Sequence, residues 1–284
     1  MNFDSNKIYS FYVLAMEHSF TKAAQKMGLS QPALSKKIRS LEDNLELSLI
    51  IRSGKSFQIT EEGKKILRYY EVKKDLDLDL KSKLYTEGRT DIFSELKISI
   101  YHSVYRSVLL PCLKPLFKSY QSLKLNIQVR ELRLLEEDLI SGKSRFIISD
   151  REIIREGVKN NLIGEEENIH IVPKLKKYPD VFFDHDPEDK TTLSFFKKQN
   201  KNFTSARSFL GDIDSILEAV NLGYGQAIVS SHLAAQYPKI KAQRSKKRLK
   251  SPIYLSYFES SYYSQMHKDF IQILKTDWMK VMSG

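Results

Sequence analysis

The strongest constraint on the fold lies in residues 30–42, whose sequence is SQPALSKKIRSLE. The apolar residues of this segment and of the turn after it recur at the three- and four-residue spacing of one helical face: Leu34, Ile38, Leu41 and Leu45. Ser30 is a typical N-cap residue, and Pro32 in the first turn interrupts no intrahelical hydrogen bond. The opposite face presents Lys36 and Arg39. The segment therefore predicts an amphipathic helix with one buried face and one cationic face.

Two shorter helical patterns precede this segment. The first has an apolar face made of Ile8, Phe11, Tyr12 and Ala15. The second is capped by Ser19 and ended by Gly28, which suits the left-handed conformation after a helix, and its small Ala23 and Ala24 allow close helix crossing. We therefore expect a helix-turn-helix whose second helix places its first residues in the major groove of DNA. The alternative is a surface helix with ordinary solvated charges.

The residue types at this helix start suit contact with DNA. Ser30 and Pro32 are compact enough for a close approach, Gln31 can read adenine, and Lys36 and Arg39 can read guanine or hold phosphates. Residues 49–60, LIIRSGKSFQIT, predict two short strands around Ser53-Gly54-Lys55. Arg52 and Lys55 at this hairpin tip would contact the phosphate backbone or the minor groove as a wing.

Composition narrows the class of protein. The chain has 284 residues and a net charge of +11, which favours polyanionic partners without identifying them. Residues 241–250, KAQRSKKRLK, hold six cations and no acid, and we expect them to form a solvated loop rather than a DNA contact, because no stacking residues or helix cap accompany them. The single Cys112 excludes an intrachain disulfide, and the spacing of the six histidines favours no metal site or cofactor. The sequence has no apolar run of about 20 residues and no signal pattern, so we expect a cytoplasmic protein without membrane contact.

The remaining sequence predicts a long helix and then an α/β region. An apolar stripe over residues 66–84 predicts a helix of about 25 residues. The stripe is too narrow for a helix buried in a core, so the helix either needs a partner helix or packs on the chain's own C-terminal domain. After it, strand and helix patterns alternate. Strands are expected at 96–101, 125–130, 146–149, 169–173, 180–184, 202–206, 227–230 and 252–258, and helices at 109–117, 193–200, 213–221 and near the C-terminus. Two α/β lobes joined by crossing strands would leave a ligand cleft between them.

We therefore predict an α+β multidomain chain. It comprises a winged helix-turn-helix domain over residues 1–60, a linker and dimerisation helix over 61–88, and a two-lobed α/β effector domain over 92–284. Lobe I is expected at about 92–165 plus 259–284, and lobe II at about 166–258. Gly223-Tyr224-Gly225 is expected to be a turn, because it lacks the third glycine of a dinucleotide fingerprint.

The sequence resembles the LysR-type transcriptional regulators. The matching residues are Phe11, Ser19-Phe20-Thr21, Ala23-Ala24, Leu29-Ser30-Gln31-Pro32-Ala33-Leu34-Ser35, Ile38, Leu41-Glu42, Leu45, Leu49, Arg52, Thr60 and Gly63. Weaker matches lie at Leu110-Pro111, Leu139 to Gly142 and Leu222 to Gly225. The chain departs from the family's usual residues at Glu46 (glycine), Ile50 (phenylalanine), Arg145 (aspartate) and Ser230 (proline). The resemblance implies an effector domain like the periplasmic solute-binding proteins.

Carried over by position, the resemblance implies two sets of site residues. The DNA-binding set, of which Thr21 would contact phosphate, is Thr21, Gln31, Pro32, Ser35, Lys36, Arg39 and Arg52, to which the helix start and the hairpin tip add Ser30 and Lys55. The effector-binding set is Tyr101, His102, Ser103, Thr204, Ser230 and Ser231. The implied partners are double-stranded DNA, a small polar effector that we expect to be anionic, and further copies in a homodimer or homotetramer, with RNA polymerase as a further candidate.

Four functions stay open at this point. The first is a regulator controlled by an effector, and the second is a regulator without one, because the rings of Tyr101 and His102 would fill the cleft. An enzyme would use His102, Ser103 and Asp150, but no catalytic turn surrounds them. A solute-binding module is opposed by the missing export signal. Operator, effector, and activation versus repression are not determined by the sequence.

Overall fold

The computed structural model describes residues 4–53, 56–85, 95–120, 123–234, 237–245 and 247–283. Its N-terminal elements are α1 (Ser5–Glu17), α2 (Phe20–Lys26), α3 (Gln31–Leu45), β1 (Ile50–Ser53), β2 (Ser56–Ile59) and α4 (Glu61–Tyr85). The first three helices are capped by Asp4, Ser19 and Ser30, whose side chains accept hydrogen bonds from backbone N–H groups of the first turn. Gly28 has φ +65°, the left-handed conformation expected after α2. These elements form a winged helix-turn-helix, as predicted.

Close packing fixes the hairpin against the helices. Glu42 Oε1 accepts hydrogen bonds from the backbone N–H groups of Leu49, at 2.7 Å, and Ile50, at 3.2 Å. Gly63, in the first turn of α4, has no room for a side chain, because an added Cβ would lie 2.4 Å from the Leu49 carbonyl oxygen. The apolar core beneath these contacts includes Phe11, Ala23, Ala24, Leu34, Ile38 and Leu41. The first residues of α3 are therefore carried on a rigid support.

α4 packs along one face against the chain's own C-terminal domain. Asp75 Oδ2 lies 3.0 Å from Arg145 Nη1 and 3.4 Å from His267 Nδ1. At the start of the helix, Arg155 Nη2 donates to both carboxylate oxygens of Glu61 at 2.9 Å. Other apolar positions of α4 are exposed: Tyr69 by 43%, Leu76 by 44% and Leu80 by 57%. One face of α4 therefore packs on the C-terminal domain, as the alternative expected. A partner helix stays a prediction for the face with the exposed Tyr69, Leu76 and Leu80.

The C-terminal region contains β3 (Glu95–Ile100), α5 (His102–Val104), a π-helical turn (Tyr105–Leu109), α6 (Leu110–Cys112), α7 (Lys114–Ser119), β4 (Lys124–Val129), α8 (Leu132–Ile140), β5 (Phe146–Ser149), β6 (Val158–Pro173), β7 (Val181–Asp184), α9 (Thr191–Lys198), β8 (Ala206–Phe209), α10 (Ile213–Asn221), β9 (Gln226–Ser230), α11 (Ser231–Ala234), β10 (Ile240–Gln243), β11 (Leu249–Phe258) and α12 (Gln265–Ser283). The described strands after α4 form one mixed sheet in the order β4-β3-β5-β11-β6-β9-β7-β8, with β10 also paired to β6.

The sheet has two parallel parts joined by antiparallel crossing strands. β3 pairs in parallel with β4 and β5 in lobe I, and β7 pairs in parallel with β8 and β9 in lobe II. β6 and β11 run antiparallel to each other and pass from one lobe to the other. α12 covers lobe I and buries Phe270, Leu274 and Trp278 completely. The predicted two-lobed α/β architecture is therefore confirmed.

Three local expectations were wrong. The helix expected over 109–117 is divided into short segments that include the π-helical turn. The strand expected at 202–206 lies at Ala206–Phe209 instead, because Lys201 N still closes the end of α9 on Phe196 O at 3.0 Å. Residues 241–250 are not only a loop, because they include the end of β10 and the start of β11, both paired with β6. Within the described ranges, no helix is apolar over a length that could cross a membrane.

Candidate nucleic-acid interface and interlobe cleft

The start of α3 is a capped, exposed helix end. Ser30 Oγ accepts a hydrogen bond from Ala33 N at 3.3 Å, and Gln31 and Pro32 are exposed in the first turn. Lys36 and Arg39 are also exposed, and within the described residues neither makes an ion pair or a hydrogen bond. The structure thus brings together four predicted contact residues on the outer face of α3. Two charges without local partners on this face are available to a polyanion.

Other cations near α3 already have partners within the domain. Lys37 Nζ donates to Asn6 Oδ1 at 2.9 Å, and Lys7 Nζ donates to Ser40 Oγ at 2.8 Å. These bonds tie α1 to α3 and hold the helix in place. The free charges of Lys36 and Arg39 are therefore distinct from the neighbouring cation on the same helix.

The wing strand lies directly beside α3. Arg52 Nη2 donates to Ser35 Oγ at 3.0 Å, and the Arg52 guanidinium lies 4.8 Å from the centre of the Phe20 ring. Thr21, exposed at the start of α2, is next to Phe20 in the chain. These contacts hold Arg52 beside the two helix starts while it remains exposed. Lys55, at the expected hairpin tip, lies outside the described residues.

The space between the lobes contains a buried polar cluster centred on Glu166 of β6. Tyr101 OH donates to Glu166 Oε2 at 3.0 Å, Ser230 Oγ donates to Glu166 Oε1, and His232 Nε2 lies 3.0 Å from the same oxygen. Ser107 Oγ lies 2.8 Å from His232 Nδ1. Because Tyr101 and Ser107 belong to lobe I and Ser230 and His232 to lobe II, this cluster joins the lobes.

The hydrogen bonds determine the charge of this cluster. Burial alone would raise the pKa of Glu166, but the bonds from His232 and Ser230 hold it below its ordinary value. Burial and the adjacent Glu166 carboxylate raise the pKa of Tyr101 well above its ordinary value. The cluster therefore holds an ionised carboxylate and a neutral phenol at neutral pH.

The cleft between the lobes is nearly closed. Beside the cluster lies a cavity of about 20 Å³, which has space for about one water molecule. It is lined by Ser103, Arg106, Ser107, Ile213, Asp214, Leu217, Leu233 and Tyr237. Arg106 Nη1 lies 2.8 Å from Asp214 Oδ2 and bridges lobe I to lobe II at the surface. The Ser103 hydroxyl is buried beside Glu166.

The predicted effector residues divide into three groups. Tyr101, Ser103 and Ser230 meet in the cleft as expected, and Ser231 follows Ser230 at the start of α11. The side chain of His102 lies outside the described residues. Thr204 was placed wrongly: it is exposed before the amino end of β8, whereas Tyr101 and Ser231 directly follow the carboxyl ends of β3 and β9. The strand was expected at 202–206 but lies at Ala206–Phe209, so Thr204 precedes it.

Sequence reasoning missed Glu166, His232 and Ser107. Glu166 stands in an acidic run, Glu165-Glu166-Glu167, and only the strand register shows that the middle residue points inward. His232 could have been predicted from the sequence, because it follows Ser231 directly after a predicted strand.

A larger groove lies between the winged domain and lobe I. It has a volume of about 610 Å³ and is lined by residues of α1, α4, β3 and β4, with Lys26 and Lys143 at its margin. Most of its cations are already paired: Lys26 with Glu17, Lys97 with Glu71, and Arg130 with Asp138. We therefore assign no ligand to this groove.

Comparison with known proteins agrees with this geometry. Residues 5–64 match the family model described as "Bacterial regulatory helix-turn-helix protein, lysR family". A protein of Phaeodactylum tricornutum named "Probable RuBisCO transcriptional regulator" is 29% identical over 248 residues, which are 77% of each chain.

Two solved structures share the fold over the full chain. ArgP of Mycobacterium tuberculosis is similar with a TM-score of 0.77 and 15% identity, covering 100% of this chain and 98% of that one. Full-length LysG of Corynebacterium glutamicum with bound effector Arg is similar with a TM-score of 0.75 and 15% identity, covering 98% and 99%. The relatives are named as regulators, which points away from an enzyme. Residues 5–64 are thus a helix-turn-helix of the LysR family, and the chain resembles transcriptional regulators in sequence and full-length LysR-type regulators in fold.

Proposed function

We propose that this regulator reads DNA through the first turns of α3 and is controlled by a small molecule that enters between the lobes. The observation that carries the DNA contact is the exposed start of α3, where Gln31, Lys36 and Arg39 stand without partners among the described residues while Lys37 is bonded within the domain. Gln31 would read a base edge, and Lys36 and Arg39 would bind guanine or phosphate. Thr21 and Arg52 would hold the backbone on either side. Lys55 remains a predicted wing contact.

The test is base preference. DNA fragments captured by the full-length protein from its own genome supply the operator, which is then varied one base pair at a time. Gln31→Ala should lower the preference at one position by about 1 to 3 kcal/mol and leave the others unchanged. Gln25→Ala is the control, because Gln25 is an exposed glutamine on α2 away from the start of α3. Unchanged preference in a folded Gln31→Ala protein would show that the docking is wrong.

The charge of the groups in the closed cleft indicates which class of effector it could bind. An anionic ligand would meet the ionised Glu166 carboxylate, so the earlier expectation of an anion is not favoured by this geometry. A molecule with an ammonium or other strong hydrogen-bond donor could replace His232 beside Glu166 and also contact the buried Ser103 hydroxyl. LysG, whose fold is similar, was solved with a bound effector Arg. Binding would separate the lobes only as far as the ligand's differential affinity for the open and closed shapes allows.

An effector-independent regulator is the second candidate. The observation that favours it is the cavity of about 20 Å³, which is far below the roughly 300 Å³ that small-ligand pockets need. A thermal-shift screen of amines, amino acids and organic acids on the full-length protein separates the two. A cationic hit that Ser103→Ala weakens supports effector control, whereas no hit in any class supports the effector-independent regulator.

Dimerisation through α4 completes the proposal. A single helix-turn-helix reads half a site, and Leu76 and Leu80 are exposed on α4. Leu76→Asp should raise the dissociation constant of the dimer at least tenfold in sedimentation, whereas the neighbouring exposed Asp77→Asn should not. A parent protein that sediments as a 33.0 kDa monomer at micromolar concentration would contradict this proposal. As a DNA-bound homodimer or homotetramer the protein would act in the cytoplasm, where RNA polymerase is a candidate partner.

A further inference from the structure

A basic patch on lobe II is built by a bulge in the pairing along β6. β10 pairs with residues 170–173 of β6, and β11 then pairs with residues 158–168 on the same edge. Between them, residues 244, 245, 247 and 248 are unpaired with β6 and form a bulge, whereas Lys246 lies outside the described residues. The bulge therefore leaves the sheet at a fixed point and carries Arg244, Lys247 and Arg248 outward.

The bulge is held against the end of α9 by a two-bond clamp. Gln199 Nε2 donates to Lys247 O, and Lys247 N donates to Gln199 Oε1 at 3.1 Å. This clamp places the bulge beside Lys197 and Lys198, in the last turn of α9, and beside Lys201. The clamp therefore brings the helix cations and the bulge cations together.

The charge of this basic patch is mostly uncompensated. Its described members are Lys197, Lys198, Lys201, Arg244, Lys247 and Arg248, and all are exposed. Arg248 pairs with Glu167 at 3.1 Å, and the other five make no ion pair within the described residues. Lysines in a last helical turn are also favoured by the helix dipole, but that effect does not account for the bulge or its clamp.

We propose that the basic patch binds the phosphate backbone of DNA that continues beyond the site read by α3. Clustered exposed lysines suit phosphates, whereas protein interfaces are depleted of lysine and enriched in exposed aromatic side chains. Phe195, on the adjacent face of α9, is only 2% exposed and offers no such anchor. The winged domain contacts lobe I, through pairs such as Glu61 and Arg155, whereas the patch lies on lobe II. The contact therefore needs longer DNA that follows the protein surface.

The experiment measures the salt dependence of DNA binding by the full-length protein on two duplexes with the same central operator. One spans about two helical turns and the other about six. The triple variant Lys197→Ala/Lys201→Ala/Lys247→Ala removes three charges of the patch. For this variant, the slope of log K against log salt should be smaller in magnitude by about two to three on the long duplex and unchanged on the short one. The matched control, Lys114→Ala/Lys268→Ala/Lys275→Ala, removes three exposed lysines of lobe I and should change neither slope.

A second variant tests the architecture without removing charge. Gln199→Ala opens the clamp and should weaken binding to the long duplex several-fold, with no change on the short one. An equal slope for parent and triple variant on the long duplex would overturn the proposal. If that equality accompanied a loss of transcription in a reconstituted reaction, the patch would belong to a protein partner instead. The proposal rests on DNA binding by α3, and the two fail separately: absent binding to the short duplex contradicts the α3 docking, whereas absent length dependence contradicts only the patch.

Discussion

The outer face of α3 and the interlobe cleft are both polar, but they differ in whether their charged groups have partners among the described residues. On α3, Lys36 and Arg39 are exposed and have no partner among the described residues. In the cleft, Glu166 accepts hydrogen bonds from both lobes and is 4% exposed. Lys36 and Arg39 are thus available to a polyanion, whereas the polar groups of the cleft bind one another. DNA bound to α3 as proposed would replace no internal contact, whereas a ligand of the cleft has to replace internal contacts.

The two regions are joined mechanically by α4. Asp75 on this helix contacts Arg145 and His267, and all three side chains are largely buried. Arg145 is one of the positions at which the sequence departs from the family pattern, and its contact with Asp75 gives the departure a structural role. The pairing holds the helix that carries the DNA-binding domain against lobe I.

Breaking that joint should have the largest effect. Asp75→Ala leaves the Arg145 guanidinium buried without its carboxylate, which should lower the free energy of unfolding by about 3 kcal/mol. Asp77→Ala, two residues away and paired with Lys73 at the surface, is the control and should cost less than about 1 kcal/mol. Chemical denaturation measures both. Equal losses would show that α4 is not fixed to lobe I through Asp75.

Removing the charge in the cleft should have a smaller effect that depends on pH. Glu166→Gln keeps the shape of the side chain and loses charge-assisted bonds, which should cost about 1.5 to 3 kcal/mol at neutral pH. Because the folded-state pKa of Glu166 is lowered, this stabilisation is fully present above the ordinary glutamate value of about 4.3 and is lost as the pH falls through the folded-state value. The difference between parent and variant should therefore shrink on acidification below about pH 5.

A neighbouring residue controls this experiment. Glu167→Gln removes a carboxylate that pairs with Arg248 near the surface, and it should cost less than about 1 kcal/mol. Thermal unfolding from neutral pH to about pH 3 gives the comparison. A difference for Glu166→Gln that grows on acidification would mean that the carboxylate is not stabilised by its hydrogen bonds.

The same contrast explains what the sequence could predict. The features of α3 are local, because Ser30, Pro32 and an apolar spacing of three and four residues determine where the helix begins and which face is exposed. The cleft is not local. Glu166 meets Tyr101 and Ser230 only after β6 is placed between β11 and β9, and the inward direction of one glutamate in a run of three depends on strand register. Thr204 was misplaced for a different, local reason: the backbone bond from Lys201 to Phe196 prolongs the end of α9, and β8 begins only at Ala206.

The smallest expected effect distinguishes two adjacent lysines. Lys36 is free on the outer face of α3, whereas Lys37 donates to Asn6 Oδ1 and holds α1. Lys36→Ala should reduce the slope of log K against log salt for operator DNA by about one, which corresponds to one phosphate contact. Lys37→Ala removes the same charge one residue away and should leave the slope nearly unchanged, with a loss of unfolding free energy of about 0.5 to 1.5 kcal/mol from the missing hydrogen bond. Fluorescence anisotropy over a salt series measures the slopes. Equal slope changes in both variants would mean that α3 attracts DNA through its overall charge and that its outer face does not dock in the orientation proposed.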